Sequence, residues 1–149
     1  MAIGRLDEDS EGLLLLTTNG QMSETIRSAK IEKEYFVLVD GMISPEAIQQ
    51  LEAGVLIGVK GTKYKTRPCK ARLLESPPQL PHRKVRDLRH GPQQWIRMVL
   101  REGKFRQIRK MTAAVGHPTL RLVRVRIGNI ALGNMQPGEI REVEKFDYL

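Results

Sequence analysis

Cysteine is nearly absent. Cys69 is the one thiol in 149 residues, so no intramolecular disulfide can form, and a reducing cytoplasm is the expected setting. Histidine is scarce too. His82, His90 and His117 are too widely spread to build a recognisable zinc site with that thiol. Apolar runs are short, as at Leu13–Leu16, far below the roughly 20 residues of a membrane-spanning helix. The N-terminus has no basic-plus-apolar secretory signal. Internal repeats, coiled-coil heptads and low-complexity tracts are also missing, which excludes solenoid and fibrous architectures.

What is present is ordinary globular material with an uneven charge. Hydrophobic residues make up 40% of the chain and charged residues 28%, and its length suits one domain. The net charge of +8 is concentrated. Residues 83–126 carry thirteen Lys and Arg against two acids, and residues 54–82 carry six against one, whereas residues 1–53 are net acidic. A polyanion-facing surface assembled from residues 54–126 makes RNA or DNA the leading partner, with a merely basic, soluble surface as the plain alternative.

The pattern of residues alternates between helix and strand signals. Gly12–Thr18 reads as a short strand ending at the turn pair Asn19-Gly20, followed by a helix over Gln21–Ala29. Lys33–Gly41 is aromatic and β-branched over a strand's length. Ser44-Pro45-Glu46 is an N-cap with proline at the first helical position, and the helix runs to Gly54. Lys65–Leu74 and Trp95–Arg101 alternate as strands, joined by a Pro-rich basic connection expected on the surface. Phe105–Val115 predicts a helix stopped by Gly116, and Leu120–Ile127 alternates strictly, with Arg121, Arg124 and Arg126 mostly on one side. Pro137-Gly138 and Glu139–Val143 predict a turn and an edge strand. These elements follow too irregularly for a parallel series, so the expected fold is α+β, a mixed and mainly antiparallel sheet flanked by helices.

Three clusters carry possible chemistry. Asp7, Glu8, Asp9 and Glu11 crowd together, an arrangement that is costly unless cations face it. As a calcium loop the cluster fails, because its twelfth position is Thr18 where a bidentate Glu is needed. A turn cap or a catalytic carboxylate remains. On the basic helix, Arg106, Arg109 and Lys110 can address one ligand by their i, i+3 and i, i+4 spacing, although a solvated face has the same pattern. The arginines of Leu120–Ile127 are either a phosphate track or the wet side of a sheet. Tyr35 packs in a core or stacks on a base.

Taken together, GRLDEDSEGLLLLT (4–17), KEYFVLV (33–39) and EGKFRQIRKMTAAVGHPTLRLVRVRIG (102–128) resemble, in order and spacing, the RsuA-type pseudouridine synthases, bacterial enzymes that modify ribosomal RNA. The first segment is the most specific and K-x-Y the least. No S4-type RNA-binding domain precedes the motif, which draws the resemblance toward the large-subunit, RluE-like group. Family catalytic domains begin well before this motif, so the chain, taken as one catalytic domain over 1–149, is expected to be short of N-terminal strands and to pair its exposed sheet edge with another copy.

The resemblance implies isomerisation of uridine to pseudouridine in ribosomal RNA without a metal, nucleotide or redox cofactor. Asp7 matches the catalytic aspartate, Tyr35 the aromatic residue stacked on the target uracil, and Arg109 the basic residue paired with the carboxylate. Carboxylic acids are ordinarily ionised at neutral pH, so that arginine would orient rather than deprotonate. Ile108 matches an apolar pocket residue, and Arg5 a residue that fills the space left by the extruded base. Lys33, Lys104, Arg106, Gln107 and Lys110 complete the expected RNA-facing set. A non-catalytic RNA-binding module and a basic protein-binding adaptor are the competing readings.

Overall fold

The structure, a computed structural model, describes residues 2–4, 6–27, 30–86 and 88–143. Its elements are β1 (Glu11–Gly12), α1 (Gly20–Arg27), β2 (Lys33–Asp40), α2 (Pro45–Ala53), β3 (Leu56–Val59), β4 (Thr62–Lys65), β5 (Lys70–Leu73), β6 (Gln93–Leu100), α3 (Gln107–Ala114), β7 (Thr119–Ile127) and β8 (Ile130–Ala131). One sheet runs β1-β7-β2-β6-β5, with β8 also on β7. Among the described residues β1 alone pairs in parallel, so the sheet is mixed and mainly antiparallel. The fold is α+β, as expected.

The front of the sheet carries the larger core. Val37, Ile96 and Leu122 lie side by side on β2, β6 and β7, and they pack with Leu51 of α2 and with Ile108 and Met111 of α3. Burying such a side chain stabilises the fold by roughly 1.5–3 kcal/mol. The start of α2 is built as its sequence predicts: Ser44 Oγ accepts the Ala47 amide at 3.1 Å, and Pro45 opens the helix. A second core of Ile3, Leu13, Leu15, Ile26, Ile31 and Ile127 ties α1 and the N-terminal segment to the end of the sheet.

The arginines of β7 depart from the expected single stripe. A register irregularity against β2 between Glu34 and Tyr35 places Glu34 opposite Arg126 and Tyr35 opposite Arg124, leaving Val125 as the extra residue. Arg124 therefore faces the front, while Arg121 and Arg126 face the back. Neither is a wet-side cation. Arg121 is 8% exposed, forks onto Glu11 at 2.7 and 2.8 Å, donates to the Pro81 carbonyl and lies over the Trp95 ring. Arg126 pairs with Glu34 and Glu32, and Arg97 pairs with Glu34 from the other side. The Pro-rich connection runs along this back face, pinned by Arg83 to Glu11 and Arg86 to Asp40.

Other boundaries shift. Of the strand expected over Gly12–Thr18, only Gly12 belongs to β1 and pairs with β7. Beyond it the chain is held by single bonds, Leu13 N–H to the Arg124 carbonyl and Ile3 N–H to the Leu15 carbonyl. The strand expected over Lys65–Leu74 is two, β4 and β5, separated at Pro68, and β4 closes a hairpin with β3 that sequence patterning missed. Residues 139–143 form no strand, though the turn at Pro137-Gly138 is present. The C-terminal part of the helix expected over Gln21–Ala29 lies outside the described residues. The sheet ends in β1 and β8 on one side and on the other in β5, which is four residues long with Lys70 and Arg72 exposed, features that discourage strand pairing there.

Candidate active site

Where the helices stop covering the front of the sheet, a cavity of about 370 Å³ opens, within the range of small-ligand pockets. Its floor is the end of the sheet, with Lys33 and Tyr35 from β2, Leu100 from β6, and Leu122 and Arg124 from β7. One wall is the loop carrying Asp7 and Ser10, and the other is the turn 102–106 with Gln107 and Ile108 at the start of α3.

Each wall is built locally. The Ser10 amide donates to the Asp7 carbonyl at 2.9 Å, closing a tight turn that holds Asp7 at the cavity with its side chain 17% exposed. β1 then anchors the turn to β7, where Gly12 is indispensable: its φ is +107°, and a Cβ there would stand 2.2 Å from the Arg124 carbonyl oxygen. Opposite, Gln107 folds the turn before α3, its Oε1 accepting the Lys104 amide at 3.0 Å and its Nε2 donating to Glu102 at 2.9 Å. Burial works against the charge of Glu102, but hydrogen bonds from Tyr64, the Arg67 amide and Gln107 outweigh it and hold its pKa below the ordinary value.

The acidic cluster is answered by cations, as the sequence requires, with a different pairing. Arg106 grips Asp9 with two bonds of 3.0 and 2.9 Å and stands 3.5 Å from Asp7. The Arg106 hydrogen bond, assisted by the charges of Arg109 and Arg106, brings the Asp9 pKa down to about 2 against the opposing effect of burial. Arg109 was expected on the Asp7 carboxylate. Instead it donates to the Asp9 carbonyl at 2.9 Å and to Ser10 Oγ at 3.2 Å, with Asp9 Oδ1 at 3.7 Å. The reason is the 7–10 turn, which directs Asp9 rather than Asp7 toward the middle of α3. Arg109 stands behind the loop and does not line the cavity.

Asp7, Tyr35, Lys33, Lys104, Arg106, Gln107 and Ile108 thus share one hollow. Lys110 does not line it. Its ammonium donates to the Gly58 carbonyl at 2.7 Å and lies over the Phe105 ring. Arg5 lies outside the described residues. The expected site set lacked Arg124, which is 6% exposed, sits across from Tyr35 on the cavity floor and donates through Nε to the Leu13 carbonyl at 2.8 Å. Burial, and then the charge of Arg124, lower the pKa of Lys33. The arrangement puts a carboxylate and an aromatic ring on one small cavity with cations at its floor and rim, suited to a planar, polar ligand attached to a polyanion.

The chain as a whole is similar to known proteins. The model of the RNA pseudouridylate synthase family matches residues 1–114. Ribosomal large subunit pseudouridine synthase E of Xanthomonas campestris pv. campestris is 44% identical over 144 residues, covering 94% of this chain and 75% of the relative. Its namesake in Vibrio parahaemolyticus serotype O3:K6 is 39% identical over 146 residues, covering 96% of this chain and 60% of the relative. A crystal structure of a pseudouridylate synthase superposes with a TM-score of 0.70 at 30% identity, covering 88% of this chain and 50% of that one. The chain therefore spans from half to three quarters of the length of these proteins. It belongs to the RNA pseudouridylate synthase family, as an RsuA-type member similar to the large-subunit synthases E.

Proposed function

We propose that this chain isomerises a uridine of large-subunit ribosomal RNA to pseudouridine, in the cytoplasm, with Asp7 as the catalytic carboxylate. The observation that carries the reading is the meeting of Asp7 and Tyr35, distant in sequence, on one cavity with a cationic floor and rim. The relatives named as large subunit pseudouridine synthases give the substrate class.

Isomerisation of uridine breaks the bond from N1 to C1′, turns the base, and joins C5 to C1′. A proton leaves C5 and N1 gains one, so no electron acceptor is required. In this reading the target uridine leaves its stack at a cost of a few kcal/mol and enters the cavity. Tyr35 stacks on the uracil, Asp7 acts at the glycosidic bond, and Ile108 with Leu122 forms the apolar lining. Arg106 reaches both Asp7 and Asp9 from the rim. Arg109 is a positioning residue, holding the backbone of the loop that presents Asp7.

The test is pseudouridine formation on a transcript of large-subunit ribosomal RNA, mapped chemically. Asp7→Asn, which keeps the shape of the side chain, is expected to abolish product while RNA binding persists. Product formation by that variant, or ribosomal RNA with an unchanged pseudouridine map in cells lacking the protein, sinks the proposal.

A further inference from the structure

Once the ion pairs are drawn, the positive charge no longer lies where the sequence concentrates it. Arg83, Arg86, Arg97, Arg101, Arg106, Arg109, Arg121 and Arg126, all from the most basic stretch, are paired with carboxylates of residues 1–53. On the β3–β4 hairpin the balance is different. Lys60, Lys63 and Lys65 are exposed, and among the described residues none of them has a carboxylate within ion-pair distance.

The hairpin is shaped to present that charge. Its turn places both Lys60 (φ 50°) and Gly61 (φ 76°) in the left-handed region, the geometry of a tight two-residue connection. Ile57 and Tyr64 pair across the strands and face the core, so Leu56, Gly58, Lys63 and Lys65 share the outward face. The hairpin is also fastened to the cavity wall. Tyr64 hydrogen-bonds Glu102, Lys104 lies 5.1 Å from the Tyr64 ring centroid, and Lys110 donates to the Gly58 carbonyl. Glu102 and Lys104 themselves line the cavity.

From this we infer that the outward face of the β3–β4 hairpin, with Lys63 and Lys65 at its centre, is a phosphate-binding ledge for the RNA strand flanking the uridine held in the cavity. The inference rests on the RNA substrate proposed above. An RNA strand fits the face better than an acidic protein does, because the hairpin is held through Tyr64 to Glu102 and Lys104 of the cavity wall, and a flipped nucleotide brings its own flanking phosphates to that wall.

The experiment measures binding of a large-subunit ribosomal RNA transcript against salt, and steady-state pseudouridine formation, for wild type, K63Q/K65Q and a control, K70Q, on the opposite side of the sheet. Neutralising two phosphate contacts is expected to flatten the log–log salt dependence by about 1.4, at roughly 0.7 per contact, and to raise KM while kcat holds; K70Q changes neither. A slope and KM for K63Q/K65Q equal to wild type, or the same change in K70Q, overturns the ledge and leaves the hairpin to a protein partner. A flattened slope in a protein that makes no pseudouridine supports the ledge while sinking the activity reading, so the two failures are distinguishable.

Discussion

Arg106 enters α3 with a left-handed backbone, φ 52° and ψ 35°, and lays its guanidinium fork flat against the Asp9 carboxylate. A non-glycine residue in this conformation carries local strain that its surroundings must offset, and the two charge-assisted bonds to Asp9 do so here. The pair bridges the two walls of the cavity, tying the loop of Asp7 to the helix that carries Ile108.

Removing that tie should cost activity more than fold. Asp9→Asn is expected to lower kcat on ribosomal RNA by about tenfold through loss of positioning, with the thermal midpoint moving by only a few degrees. Steady-state kinetics beside thermal melts check it, and full activity in the variant contradicts the positioning role.

The same contact sets a pH dependence. Asp9 has its pKa lowered from 3.8 to about 2 in the folded protein, so its contribution to stability is present above the unfolded value and is lost as pH falls through the folded one. The stability difference between wild type and Asp9→Asn should therefore be constant above about pH 5 and shrink between about pH 4 and 2. Denaturant melts across that window read it directly.

Tyr35→Leu keeps an apolar side chain on β2 but removes the ring. Stacking on a base is worth roughly 1–3 kcal/mol, so kcat/KM should fall on the order of tenfold to a hundredfold while the fold persists. An unchanged value would mean that the ring serves packing alone.

Gly12→Ala tests the junction of the loop with the sheet. The new methyl would meet the Arg124 carbonyl oxygen at 2.2 Å from a backbone at φ +107°, and a destabilisation on the order of 3 kcal/mol or more is expected in urea unfolding.

Glu34→Gln probes the back of the sheet, where one carboxylate serves both Arg97 and Arg126. Because the group is mostly shielded, the expected loss is about 2 kcal/mol, between the values of exposed and buried pairs. A shift in urea midpoint at constant m-value measures it.

Much of this framework was legible in the sequence, for identifiable reasons. The strands β2, β6 and β7 announce themselves through β-branched and alternating residues, and α2 through Ser44-Pro45. The β3–β4 hairpin was hidden because its turn is Lys60-Gly61 rather than an asparagine–glycine pair, although Pro68 was a sign that no strand could run from Lys65 to Leu74. The site was legible in part. Asp7 and Tyr35 meet as the family resemblance implies, but motif matching carries no information on which acid of a crowded loop an arginine will grip, and so assigned Arg109 to Asp7 instead of to Asp9 and Ser10. Arg124 was missed because strict alternation puts it on the same side as Arg126, and a one-residue irregularity leaves no mark in composition.

That irregularity at Val125 decides the polarity of the whole pocket. Were Val125 taken into a regular ladder, Arg124 and Arg126 would fall on one side together, stripping either the floor beneath Tyr35 or the partner of Glu34 of its cation. The bulge thus sets two electrostatic environments at once, and excising Val125, which makes Arg124 and Arg126 adjacent, would keep them on opposite faces of a regular strand, so spacing along β7 is as much a determinant of the chemistry as the identity of its arginines.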